Sequence, residues 1–121
     1  MSFTTKAIAA DEYVLVLHEG RLTIQELNEA RAKAITILEA NKWKKMLVDL
    51  RGALIGVNDG EIFFFSSSHR EKFPLNMKIA VVGNPRDHDK TSFADTVSGN
   101  RGVPMQTFDN WDQATEWLVK Q

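Results

Sequence analysis

The chain of 121 residues contains no cysteine, which removes disulfides, thiol nucleophiles and thiolate metal sites at once and fits a reducing cytoplasm. It has no excess of positive charge either. Fifteen basic residues stand against sixteen acidic ones, a formal charge of -1, so no overall field draws phosphate backbones or anionic lipid, and nucleic acid is not an expected partner. No apolar run reaches the roughly eighteen residues of a membrane span, and residues 1–11 lack the basic start and long apolar stretch of a secretory signal. A cytoplasmic location is therefore the expectation. Gly52, Gly56 and Gly60 lie four apart without the Lys-Ser/Thr ending of a P-loop or the tight spacing of a dinucleotide fingerprint.

What is present is ordinary for a globular domain: 43% apolar and 26% charged residues, in a length that suits one domain over 1–121 with one core. Residues 3–9 and the β-branched and aromatic run 13–18 predict two opening strands. Glu19-Gly20-Arg21 reads as a turn, and Thr23 with Glu26 has the spacing of a capping box at a helix start. Ile24, Leu27, Ala30, Ala34, Ile37 and Leu38 recur at three- and four-residue steps and make one apolar stripe up to Asn41, with Glu29, Arg31 and Lys33 on its wet sides. The nearly unbroken apolar run 46–50 is the pattern of a strand covered on both faces.

Residues 51–60, with their three glycines, read as a loop whose Asn58 or Asp59 caps a helix over 62–71, ended at the latest by Pro74. Residues 77–83 predict another buried strand. A turn at Asn84-Pro85-Arg86-Asp87 then starts a helix over 87–98 with Phe93, Ala94 and Val97 inward and Gly99 as terminator. Residues 103–108 give a last strand, pushed to a sheet edge by Pro104, and Asn110 caps a final helix with Trp111, Ala114, Trp117 and Leu118 on its apolar face. Alternation of strands and helices in this order predicts a single α/β domain with a mostly parallel central sheet of about five strands and four packed helices.

In Leu47-Val48-Asp49-Leu50 before a glycine-containing stretch, in Lys78-Ile79-Ala80-Val81-Val82-Gly83, and in the ending Phe108, Ala114, Trp117-Leu118, the chain resembles SpoIIAA-like proteins, a branch related to STAS domains, over nearly its whole length. The resemblance implies a regulatory or protein-interaction module rather than an enzyme. In anti-sigma-factor antagonists of that kind a phosphorylatable serine opens the helix after the Asp-Leu strand. The corresponding stretch here is Val57-Asn58-Asp59-Gly60-Glu61, without serine, threonine or tyrosine. Asp59 serves there either as a fixed negative charge at a helix N-terminus or as a plain cap.

The densest polar cluster is Asn84, Arg86, Asp87 and His88, after a predicted parallel strand, where α/β ligands often sit. Arg86 there could pair an anion and His88 could shuttle a proton between carboxylates; the same residues equally suit a capped, solvated helix start. Asp87, His88 and Asp49 are the one acid-base group worth naming for an enzyme. His18, His69 and His88 have no paired ligand spacing, so no metal is expected, and no motif calls for a cofactor. Ser66, Ser67 and Ser68 sit inside a helix without a nucleophile elbow.

One feature exceeds what a core needs. Ile62-Phe63-Phe64-Phe65 on a helix advances about 100° per residue, so with Ile62 and Phe65 inward Phe64 is turned away. It is then exposed, with Phe63 beside it, as a surface for a protein partner or a small apolar ligand such as a lipid, or it is covered by residues 51–60. A homodimer through this helix or an edge strand stays open.

Overall fold

The computed structural model describes residues 3–120. Two runs rich in β-branched and aromatic side chains open the chain as an antiparallel pair, β1 (Phe3–Ile8) and β2 (Tyr13–Leu22). From β2 the chain passes through α1 (Ile24–Asn41) to β3 (Lys45–Ile55), and through α2 (Asp59–Ser67) and the single turn α3 (His69–Lys72) to β4 (Lys78–Val82). A short 3-10 turn (Pro85–Asp87) and α4 (His88–Asn100) lead to β5 (Met105–Phe108), and α5 (Trp111–Val119) ends the domain. The strands lie side by side in chain order, and β2 to β5 are parallel. The α/β class, the five-stranded, mostly parallel sheet and its four main helices agree with the sequence.

Each parallel crossover steps to the next strand in the same direction, and the strong right-handed preference of such connections puts α1, α2 and α4 on one face. There Ala30, Ala34 and Leu38 of α1 meet Val14, Val16 and Ile79 of the sheet. The small alanines let the helix approach closely. On the other face Ala114 and Leu118 of α5 cover Leu47, Ala80 and Val82. Both faces of β3 and β4 are thus buried, which is why residues 46–50 and 79–82 lack alternation.

Several local expectations are corrected. Residues 19–21 are no turn and 51–55 no loop: β2 and β3 run on together, pairing Glu19 with Gly52 and Leu22 with Ile55 beyond a register shift between Leu17 and Glu19. Gly20 takes φ 73 in this irregular stretch, a conformation open to glycine. Gly56 N–H closes the extension on Leu22 O at 3.0 Å, and a Cβ at Gly56 would lie only 3.0 Å from that same oxygen. The helix expected over 62–71 starts at Asp59 and is interrupted at Ser68. The helix expected over 87–98 runs from His88 to Asn100, so Gly99 lies inside it, and Phe93, expected inward, is 37% exposed.

Candidate functional site

Helix α2 is fixed by a full capping box: Asn58 Oδ1 accepts from Glu61 N–H at 2.8 Å while Glu61 Oε1 accepts from Asn58 N–H at 3.0 Å. That start sets the helix's rotation. Ile62 and Ser66 point into the core, and Phe64 is 75% exposed. Residues 51–55 cannot cover it, being held in the sheet, where Leu54 is itself 48% exposed. Phe63, also exposed, packs edge-on against Phe64 with ring centres 5.7 Å apart and has the Arg101 guanidinium 6.0 Å over its ring.

The other residues singled out by sequence gather where β3 and β4 end, because α2 and α4 both start there. Their side chains tie loops together. Asn84 Oδ1 accepts from Arg86 N–H at 3.1 Å; Arg86 Nη2 donates to Ala53 O at 3.0 Å, and its Nε lies 3.6 Å from Asp87 Oδ2. Lys90 Nζ donates to Val57 O at 2.9 Å and stands 4.0 Å from the exposed Asp59 carboxylate. His88 is exposed, and its ring makes no hydrogen bond among the described residues. Because the parallel strands follow one another without a reversal of direction, no switch-point crevice opens at this end.

Asp49 is not part of that cluster. Its carboxylate accepts from Arg51 Nε at 3.0 Å, Nη2 at 2.8 Å and the backbone N–H at 3.1 Å, and no hydrogen bond joins it to Asp87 or His88. Burial alone would raise its pKa; the hydrogen bonds and charge of Arg51 together outweigh burial and hold it below the usual carboxylate value. The acid-base trio of Asp49, Asp87 and His88 is therefore not assembled.

A second polar group lies inside the domain and was not expected. Thr23 caps α1 by accepting from Glu26 N–H at 3.2 Å, but Glu26 does not return the bond; its carboxylate turns inward to His18 Nδ1 at 2.7 Å. Burial holds His18 below the usual imidazole pKa despite that carboxylate. Arg31, expected on the wet side of α1, is only 8% exposed. Its Nη1 donates to Phe65 O at 2.9 Å, Ser68 Oγ at 2.8 Å and His69 Nδ1 at 3.1 Å, its Nη2 to Asn28 Oδ1 at 3.3 Å, and the guanidinium stacks 4.3 Å over the Phe65 ring. These bonds seize the carbonyl and hydroxyl where α2 gives way to α3. Burial, with the nearby Arg31 charge, pushes His69 down to about 3, and burial lowers Arg31 to about 10.

A signal for Arg31 existed: positions 27, 30, 31, 34 and 38 share one helical face, and only its charge argued against the core. Glu29 is half-buried as well, with Oε1 shielded and without a partner. Between this group, α2, α4 and the sheet lies a cavity of about 100 Å³ with mainly apolar walls, including Val16, Ile62 and Val81, and with His18, Ser66 and His69 on its lining. The half-buried Lys90 belongs to the lining as well.

Among solved structures the chain is similar to the anti-sigma factor antagonist SpoIIAA in its unphosphorylated form, at TM-score 0.63 and 12% identity over 98% of both chains. It is similar to an anti-sigma factor antagonist from Mycobacterium paratuberculosis, at 0.62 and 18% over 97% of this chain and 94% of that one. It is also similar to an uncharacterized protein of the DUF3478 family with a SpoIIAA-like fold from Shewanella loihica PV-4, at 0.62 and 15% over 97% and 92%. The chain therefore has the SpoIIAA-like fold, as its sequence resemblance implies. No protein-family model matches the sequence, and no curated protein matches it. Among the described residues no helix is long and apolar enough to cross a membrane.

Proposed function

We propose that the chain is a non-enzymatic regulatory or protein-interaction module of the STAS-like type, acting in the cytoplasm, whose contact surface is the outer side of α2 with the adjoining start of α4. The observation that carries this reading is Phe64, 75% exposed on a helix whose geometry is fixed by its cap. A phenylalanine left in water next to a second exposed phenylalanine contributes little to folding and much to association. Asp59, on the first turn of the same helix, supplies a fixed negative charge where antagonists of this fold carry a phosphorylatable serine; residues 57–61 contain no hydroxyl, so binding here is not switched by phosphate at that point. Asn84, Arg86, Asp87 and His88 form the polar margin of the surface, a rim around apolar contacts.

The test compares wild type with Phe64→Ser in affinity capture from the native extract. A partner retained by wild type and lost by the variant, with unchanged thermal unfolding, is the expected result. Identical capture by both proteins overturns the assignment of the surface. A second copy of the chain is distinguished by sedimentation of the purified protein, where Phe64→Ser would turn a dimer into a monomer.

A further inference from the structure

The cavity behind α2 has apolar walls, yet three nearly fully buried side chains on its lining carry hydrogen-bonding capacity that no protein group uses. Ser66 Oγ, His18 Nε2 and His69 Nε2 make no hydrogen bond among the described residues. Such groups are ordinarily satisfied inside a protein. Their polarity follows from their partners. Arg31 can only donate, so His69 Nδ1 accepts and the imidazole proton sits on Nε2, a donor. Glu26 as a carboxylate only accepts, so His18 Nδ1 donates and Nε2 keeps a free lone pair. The Ser66 hydroxyl does both.

The cavity thus combines a donor, an acceptor and a hydroxyl, and its two cations already spend donors on protein groups. Both imidazoles are held neutral by burial, Arg31 is engaged by four groups, and Lys90 is bonded to Val57 O. A cation would find no carboxylate on the lining, and an anion would have to displace the hydrogen bonds that hold Arg31 and Lys90. Size sets a further limit: an apolar cavity of about 150 Å³ takes up benzene, and this one, at about 100 Å³, suits a slightly smaller guest and is far too small for the acyl chain of a membrane lipid.

We propose that the cavity between α2, α4 and the sheet is an internal binding site for a small neutral organic molecule, a ring or short branched chain bearing one hydroxyl, held by Ser66, His18 and His69 against apolar walls. Its competitor is water, which such polar groups would also attract. The site backs directly onto α2: Ser66 lies on the cavity side of the helix whose other side presents Phe64. The inference does not depend on a protein partner.

Titration of the whole protein with propan-2-ol and, separately, propane, followed by NMR, tests it. The expected result is saturable binding of propan-2-ol with nuclear Overhauser contacts from its methyl groups to the Ile62 and Val81 methyl groups, about fivefold tighter than propane, the weight of one net hydrogen bond. In Ser66→Ala, which removes a single oxygen, that preference shrinks. Failure of both probes to bind, equal binding of both, or contacts confined to surface residues overturns the proposal and leaves water as the occupant. No partner protein is present in the titration, so its failure leaves the assignment of the outer surface of α2 untouched.

Discussion

His69 is packed between the rings of Phe65 and Phe73, at 4.9 and 5.1 Å between ring centres, and its Nδ1 faces the Arg31 guanidinium. The folded protein therefore keeps this imidazole neutral down to about pH 3, whereas the unfolded chain protonates it near 6.5. Below pH 6.5 the unfolded state binds the extra proton, so folding stability falls as pH falls, by about 1.4 kcal/mol per pH unit. Asp95 works the other way. Burial raises its carboxyl from 3.8 to about 6 against the two hydrogen bonds from Thr107, so the folded state binds more protons in that interval and its contribution declines as pH rises. Comparing urea unfolding of wild type and His69→Gln isolates the first effect: between pH 6.5 and 4.5 wild type should lose stability more steeply, and parallel curves would contradict the assignment. His69 was visible in the sequence as a histidine without ligand spacing. Its environment was not, because the residue that creates it, Arg31, is 38 positions away and was read from its charge instead of its helical face.

At the scale of the element, α2 was legible in its capping residue and its phenylalanine run and illegible at both ends. Asp59 and Gly60 are poor helix formers that the capping box recruits into the first turn. At the break the Ser68 hydroxyl bonds back to Phe65 O at 2.8 Å, and Arg31, from another helix, bonds Phe65 O and Ser68 Oγ there. Asn58→Ala should remove the cap and about 1 kcal/mol of stability in urea unfolding. The two sides of the helix should respond very differently. Ile62→Ala, on the buried side, is expected to lose about 2–4 kcal/mol, while Phe64→Ser stays within about 0.5 kcal/mol of wild type. A large loss for Phe64→Ser would mean that the ring is part of the core.

For the whole molecule, the order of strands and helices was readable because the hydrophobic rhythm changes between two-residue and near-four-residue periods at each boundary. The full lengths of β2 and β3 were not. Their second halves hold Gly20, Arg21, Arg51 and Gly52, residues that suit a turn, and they stay extended because each strand satisfies the other's backbone beyond the shift at His18. That extension carries β3 to the start of α2 and leaves Leu54 and Phe64 uncovered. Leu47, fully buried between β3 and α5, reports on the opposite layer: Leu47→Ala should cost about 2–5 kcal/mol in urea unfolding.

Whether the outer side of α2 is a working surface is decided most directly by a photo-crosslinking residue placed at position 64, with the same residue at the exposed Gln25 of α1 as control, irradiated in the native cell. The account predicts one discrete protein adduct from position 64 and none of that mass from position 25. No adduct at position 64, or the same adducts from both positions, would contradict it.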